Sequence, residues 1–216
     1  MPRPPRVLHR DEVPAEDLEA YDQIVDRQRH HANLTFDDDG RPELRPYHAG
    51  LAMAPQFGVL ISELGRVGRM AGDRPNTYSH ADREFVDQIL CRDADFRGFL
   101  KGHILDGVSA GLRIEAIAAI RAGDESDLTE DEQFLATYVR QVVNGTVDDE
   151  TWNRMEDRLG ERGVVEYTIW IAFLHLIMRL FQAFGSPEPT DEEIDELIAG
   201  IRDGSIEVPD FRERIN

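Results

Sequence analysis

The chain has 216 residues, of which 41% are hydrophobic and 31% are charged, and its formal net charge is −19. This length is enough for one well-buried core, and the acidic surplus excludes the basic surface by which nucleic-acid-binding proteins displace counterions. The single cysteine allows no internal disulfide and no cysteine-based metal site.

These features are typical of a soluble cytoplasmic protein. The first fourteen residues include arginines but no apolar stretch follows them, so the sequence does not predict a secretory signal. No apolar run reaches the roughly 20 residues that span a bilayer. The most apolar segment, 167–184, is interrupted by His175, Arg179 and Gln182, which indicates a buried core helix. We therefore expect neither a nucleic-acid partner nor a membrane partner.

Patterns of apolar residues at helical spacing follow one another along the chain. No segment shows the alternation of apolar and polar residues that is typical of a strand. The first helix is predicted at 14–31, and a turn-rich linker follows at 37–42. A second helical region covers 44–70, where Pro55 can interrupt it. The chain is then broken again by a stretch rich in turn residues at 72–76.

The next helix is predicted to begin after Ser79, because Ser79 and Asp82 have the spacing of a capping box. It carries Glu84 and Cys91, and a short connection at 92–95 leads into the helix of His103. The helices expected after this connection end near 110, 122, 143, 159, 184 and 202, with Gly123 and Gly145 placed to close two of them.

The sequence thus predicts an all-α protein, a helical bundle in one domain with flanking helices. We expect an N-terminal helix and linker at 1–43, a helical domain at 44–187, and a peripheral helix with an extended tail at 188–216.

The candidate site lies on two consecutive helices. On the first, Glu84, Gln88 and Cys91 share one face. On the second, helical spacing continued back from His103 would place Phe96, Phe99, Leu100, His103 and Gly107 on one face. An acid and an imidazole on facing helices, with aromatic rings beside them, predict a small apolar pocket with proton-transfer chemistry.

These residues resemble the carboxymuconolactone decarboxylase / alkylhydroperoxidase D-like (AhpD-like) family. The peroxidase branch of that family has the pattern Glu, eleven residues, Cys, two residues, Cys, three residues, His. Glu84 and His103 stand at the family spacing, whereas Phe96 and Phe99 stand where the family has its cysteines. Further similarity extends over about 46–187, at 110–112, 164–166, 171–173 and from Arg179 to the Gly-Ser-Pro of 185–187.

The resemblance implies an AhpD-like helical fold and a functional carboxylate–imidazole pair. It does not imply peroxidase chemistry, which needs an attacking thiolate and a resolving thiol, because Phe96 and Phe99 supply neither. It does not imply lactone decarboxylation itself either, since the family's decarboxylases are shorter and the residues at 99–102 differ.

We therefore expect an acid–base enzyme of the lyase or isomerase type that acts on a small organic carbonyl or carboxylate compound. His103 would be the general acid/base and Glu84 its partner. The sequence shows no metal-binding spacing of histidines and acids, so we expect no metal and no cofactor. The residues expected to line or cap the pocket are Phe96, Phe99, His175, Arg179, Tyr47, His48 and Cys91.

Two alternatives remain open at this stage. The same scaffold without cysteines also fits a non-catalytic protein that binds a ligand or assembles with copies of itself. A peroxidase that uses Cys91 alone is the least favoured interpretation, since no second cysteine can resolve it. In either case the resemblance implies a homo-oligomer, as a dimer, trimer or hexamer.

Overall fold

The computed structural model describes residues 6–32 and 34–215. These residues form helices and one isolated β-bridge between Phe36 and Pro42, and no strand, so the all-α prediction is confirmed. The helices are α1 (Leu18–Ala32), α2 (Pro46–Met53), α3 (Pro55–Ala71), α4 (His80–Asp93), α5 (Leu100–Ser109), α6 (Ile114–Ala122), α7 (Glu130–Asn144), α8 (Asp149–Phe184), α9 (Asp191–Asp203) and α10 (Arg212–Ile215).

Local sequence signals account for most helix ends. At the start of α4, Ser79 Oγ accepts a hydrogen bond from Asp82 N at 3.0 Å, and the Asp82 carboxylate accepts one from Ser79 N at 2.9 Å. This is the expected capping box, which satisfies two backbone N–H groups that the helix leaves free. Gly123 and Gly145 end α6 and α7 in the left-handed conformation, with φ of 72° and 67°.

The start of α5 differs from the sequence-based expectation. The helix begins at Leu100, so the prediction that Phe96 and Phe99 lie on the helix of His103 is wrong. Asp95 has a φ of 46°, and the N–H of Phe96 bonds back to the carbonyl of Cys91 at 2.9 Å, so the chain turns before α5 starts. Helical spacing alone could not reveal that the predicted connection at 92–95 extends to Phe99, because the left-handed residue is an aspartate rather than a glycine.

The chain forms two compact units, and each is described by itself. The first comprises residues up to Val67 together with Arg179–Pro187. Its core includes Tyr21, whose hydroxyl donates to the carbonyl of Leu8 at 2.8 Å. The sequence had placed domain limits at 43/44 and 187/188, whereas the units divide inside α3 and α8 and again after Pro187.

The second unit comprises Gly68–Met178 and the residues from Glu188 onward. Helix α4 lies at its centre and packs against α5, α6 and α7. Helix α9, which the sequence predicted to be peripheral, packs on α5 and α6 and buries Ile194 and Ile198. The fully buried side chains of this core include Val86, Ile89, Ile104, Ile117, Tyr138 and Tyr167.

Helix α8 is the longest helix and contains a break at Gly160, whose φ of 76° and ψ of 163° are not helical. The sequence predicted two helices here, which the break explains. By length and composition, α8 alone among the described helices could cross a membrane. Of its most apolar stretch of 18 residues, 39% is buried. One such helix is weak evidence, because the core helix of a soluble protein has the same composition. Tyr167 and Ile171 on this helix are fully buried.

Candidate functional site: a buried carboxylate–imidazole cluster

Helix α4 carries an unusual number of buried polar side chains. Burying such groups is costly unless they are paired, so their concentration on one helix marks a candidate functional site. Among the described residues, the buried polar side chains of α4 are His80, Asp82, Arg83, Glu84, Asp87 and Gln88.

Glu84 and His103 meet as the sequence pattern suggested. The Nδ1 atom of His103 lies 2.7 Å from Oε2 of Glu84, across the interface of α4 and α5. The Glu84 side chain is 2% exposed and the His103 side chain 32% exposed. The carboxylate is thus inaccessible, and the imidazole is the part of the pair that a molecule in solution can reach.

The close approach of the two helices depends on a glycine. Gly107 lies one turn after His103 on α5, and a Cβ atom there would stand 3.3 Å from the Cβ of Glu84. The absence of a side chain therefore lets α5 lie close against α4 at the level of Glu84. This helps to explain how His103 reaches the carboxylate directly.

Asp87 and Arg83 complete the cluster. Oδ2 of Asp87 lies 3.2 Å from Nδ1 of His103, and the Asp87 side chain is 1% exposed. Arg83, also 1% exposed, forms an ion pair with the second oxygen of Glu84. Two carboxylates therefore face one guanidinium and one imidazole, and the formal charges balance when His103 is protonated.

The surroundings favour the protonated imidazole. Burial acts to lower the pKa of His103, but the negative charges and hydrogen bonds of Asp87 and Glu84 outweigh it and hold that pKa well above its ordinary value. Burial acts to raise the pKa of Glu84, but the charges of His103 and Arg83 outweigh it and lower that pKa. For Asp87 burial prevails, and its pKa is raised. These surroundings therefore favour an imidazolium paired with the Glu84 carboxylate.

The ring of His103 has one nitrogen engaged and one available. Nδ1 is held by Glu84 and Asp87, and the ring packs edge-on against Phe99 at a centroid distance of 5.2 Å. Phe99 in turn packs edge-on against Phe96 at 5.2 Å. No described residue hydrogen bonds to Nε2. The arrangement can present an N–H donor, beside an aromatic wall, to an oxygen of a bound molecule.

The same three side chains could also hold a metal ion by their spacing. Glu84, Asp87 and His103 each offer one ligand atom, and these atoms lie within 4.8 Å of one another. The sequence predicted no metal, because it shows no metal-binding spacing of histidines and acids along the chain. That criterion does not detect two acids three residues apart on one helix that face a histidine on the next helix. Arg83 counts against a divalent ion, because its guanidinium already contacts Glu84.

The sequence pattern did not indicate two members of the cluster, Arg83 and Asp87. Asp87 falls three residues after Glu84, in the stretch 85–90, where the residues other than Asp87 and Gln88 are apolar. A charged residue at a position where helical periodicity requires burial is a detectable signal, since such a residue needs a partner inside the protein. Arg83 precedes Glu84 directly and gave no periodic signal of its own.

The second unit also contains a cavity of about 770 Å³, between α4, α5, α6 and α9. Of the residues expected to line the pocket, Cys91 and Phe96 line this cavity, whereas Glu84, Phe99, His103 and His175 do not. Gln88 and Cys91 follow Glu84 along α4, so the cavity begins about one helical turn beyond the carboxylate–imidazole pair.

The remaining predicted pocket residues have other surroundings. In the first unit, Tyr47 is buried, stacks on Phe181 at 4.3 Å and contacts the edge of His48 at 5.0 Å. Burial and the charges of neighbouring arginines lower the pKa of His48 to about 4. Arg179, also in this unit, donates a hydrogen bond to Gln182 Oε1 at 2.9 Å. His175 is half-buried on α8 in the second unit and is not among the partners of His103.

The chain matches no protein-family model, and no curated protein sequence matches it.

Proposed function

We propose that the chain is an acid–base enzyme of the lyase or isomerase type, similar to carboxymuconolactone decarboxylases and acting without the thiol chemistry of the peroxidase branch. Its substrate would be a small organic molecule that bears a carbonyl or carboxylate group. The observation that carries this proposal is the imidazole of His103, whose Nδ1 lies 2.7 Å and 3.2 Å from two buried carboxylates and whose side chain is 32% exposed.

The cluster supports a specific proton transfer. A substrate carbonyl oxygen gains negative charge when its neighbouring carbon loses carbon dioxide, or loses a proton to a water molecule, and the Nε2–H of His103 stabilises or protonates that oxygen. Glu84 keeps the ring oriented and favours its charged form. The neutral imidazole left after transfer regains its proton from water or from the product, so the cycle needs no redox partner.

Because the cluster favours the imidazolium, the residue acts first as an acid. This suits decarboxylation, enolisation and elimination, in which an oxyanion develops next to the reacting carbon. A free histidine at neutral pH would be largely deprotonated. The two carboxylates thus determine which of the two roles His103 has at the start of the reaction.

The test compares turnover in the wild type and in the His103→Gln variant. Carbon dioxide release from acetoacetate and oxaloacetate, deuterium exchange next to the carbonyl of pyruvate, and opening of a δ-lactone cover the reaction types. On the compound that the wild type accelerates, we expect His103→Gln to lose about 10²- to 10⁴-fold in rate.

The matched control is His9→Gln, because His9 pairs with Asp11 through Nδ1 and is 33% exposed. The partner carboxylate there is 78% exposed rather than buried. His9→Gln should turn over like the wild type. Wild-type turnover in His103→Gln would contradict the proposal.

A second candidate function is ligand binding without catalysis. The observation that favours it is the cavity of about 770 Å³, which the carboxylate–imidazole pair does not line. A peroxidase that uses Cys91 finds less support, because burial raises the pKa of the Cys91 thiol well above its usual range and keeps it protonated. We also propose, from the resemblance, that the protein is a homo-oligomer.

A further inference from the structure

The cavity between α4, α5, α6 and α9 has the size of a small-molecule site. Its volume of about 770 Å³ lies within the range of roughly 300–1,000 Å³ typical of ligand pockets. Its floor is apolar and would favour the apolar part of a ligand through removal of surface from water. The buried apolar residues of this floor are Phe96, Leu100, Ile104, Ile117, Ile120 and Ile198.

The wall formed by α9 is fixed by ion pairs. Arg121 donates to Asp191 at 2.6 Å and to Asp195 at 2.7 Å, and Arg97 lies 3.4 Å from Asp191. Lys101 adds a contact of 2.7 Å to Glu193. These exposed pairs add to the burial of Ile194 and Ile198, which packs α9 against α5 and α6. The cavity is therefore part of the packed second unit.

The charges at the cavity rim divide into paired and unpaired groups. Arg92, Arg97, Arg121 and Arg202 line it together with Asp95, Asp191, Asp195 and Asp203. Arg97 pairs with Asp95 and Asp191. Arg121 pairs with Asp191 and Asp195. Asp203 accepts a hydrogen bond from the backbone N–H of Ser205 at 2.9 Å.

Arg92 and Arg202 remain as exposed guanidinium groups at the rim. Neither has an ion pair or side-chain hydrogen bond within the described part of the chain. Glu125, whose pKa Arg92 helps to lower, is itself bonded to Arg140. Although the net charge of the chain is −19, these two unpaired arginines give the rim of the apolar cavity positive groups that can bind an anion.

We propose that this cavity binds a small amphipathic carboxylate, whose apolar body occupies the floor and whose carboxylate lies at Arg92 and Arg202. The site goes beyond the proposed enzymatic function and holds whether or not the Glu84–His103 pair is catalytic. Guanidinium groups recognise carboxylates by paired, charge-assisted hydrogen bonds, which a trimethylammonium head group cannot form because it is cationic and has no acceptor.

Calorimetric titration of the whole protein with decanoate tests this site. Decyltrimethylammonium, which has the same apolar chain with a cationic head, is the ligand control. We expect saturable binding of decanoate, and about ten-fold weaker binding in the double variant Arg92→Ala/Arg202→Ala, as expected for the loss of two exposed ion pairs. Arg45→Ala is the matched control, because Arg45 is also exposed and does not line the cavity.

Cys91 gives a second, local measurement. It is the only cysteine in the sequence and it lines the cavity, so decanoate should slow its reaction with N-ethylmaleimide in the wild type. Protection should require higher decanoate concentrations in the double variant than in Arg45→Ala.

Absence of decanoate binding by calorimetry would overturn the proposal. So would equal binding of the cationic analogue, or wild-type affinity in Arg92→Ala/Arg202→Ala. Thermal unfolding of each variant would establish that the comparison is made between folded proteins. None of these results depends on enzymatic turnover, so they are independent of the test of His103.

Discussion

The Nδ1 atom of His103 lies 2.7 Å from Oε2 of Glu84, and of these two side chains only the histidine reaches the surface. A charge on Glu84 cannot be solvated by water and is instead balanced by His103 and Arg83. The charge of His103 therefore matters for both stability and chemistry, because donation of its Nε2 proton also removes the positive charge that balances Glu84.

The first prediction concerns the titration of His103. We expect its pKa to lie well above 6.5, because Asp87 and Glu84 stabilise the charged ring. NMR spectra of the imidazole C–H groups as a function of pH provide the measurement, with assignment by His103→Gln. His9, whose pKa Asp11 also raises, is the reference, and it should titrate at lower pH because its partner is exposed. A pKa of 6.5 or below for His103 would contradict the assignment.

The second prediction concerns stability as a function of pH. Because the pKa of His103 is raised in the folded protein, the native state binds more protons than the unfolded state above about 6.5. The stabilisation is complete below that pH and declines as the pH rises through the folded-state pKa. Urea unfolding at several pH values should show the advantage of wild type over His103→Gln shrinking in alkaline solution. A constant difference would exclude this linkage.

The third prediction distinguishes the two buried carboxylates. Glu84→Gln removes the partner of both Arg83 and His103, and breaking such a buried pair costs about 3–5 kcal/mol in unfolding free energy. Asp87→Asn should cost less than Glu84→Gln, because burial already disfavours the charge of Asp87 and its contact with Nδ1 of His103, at 3.2 Å, is longer than that of Glu84, at 2.7 Å. Chemical denaturation measures both. Equal losses in the two variants would contradict this distinction between the carboxylates.

Most of the helical framework could be predicted from the sequence, since it depends on short-range chemistry. Ser79 with Asp82 predicted the start of α4, and Gly123 and Gly145 predicted the ends of α6 and α7. The connection before α5 was predicted only at 92–95, and its extension to Phe99 could not be predicted in this way, because it rests on Asp95 in a left-handed conformation and on a backbone bond made only after the chain has turned.

The candidate site was only partly predictable for a related reason. Glu84 and His103 stood at a recognisable spacing, whereas Asp87 joins them only through the packing of α5 against α4. The cavity depends on tertiary contacts of α9, such as those of Asp191 and Asp195 with Arg121. Sequence periodicity reports which face of a helix is apolar, but not which helix that face meets.

The fourth prediction concerns self-association. Helix α3 of the first unit exposes Phe57, Leu60, Leu64 and Val67, which recur at helical spacing, and Phe57 and Leu60 are 71% and 69% exposed. Contiguous apolar surface of this kind is typical of an interface, and we expect a second copy of the chain to cover it. Light scattering after size exclusion should give a mass above that of one chain for the wild type.

Leu60→Asp should lower that mass toward the monomer, because the new charge would be buried in the interface. Gln23→Asp, which adds the same charge at an exposed position of α1 in the same unit, should leave the mass unchanged. A monomeric wild type, or an unaffected Leu60→Asp variant, would exclude α3 as the interface.

The last prediction concerns competition between a proton and a metal ion at the cluster. Glu84, Asp87 and His103 could chelate a divalent cation by distance alone. Such an ion would have to displace the proton of His103 and lie near the guanidinium of Arg83, which already contacts Glu84. We therefore expect the melting temperature at neutral pH to be the same with zinc chloride and with a chelator. A rise of several degrees with zinc that disappears in His103→Gln would instead establish a metal site, since binding to the native state alone stabilises it.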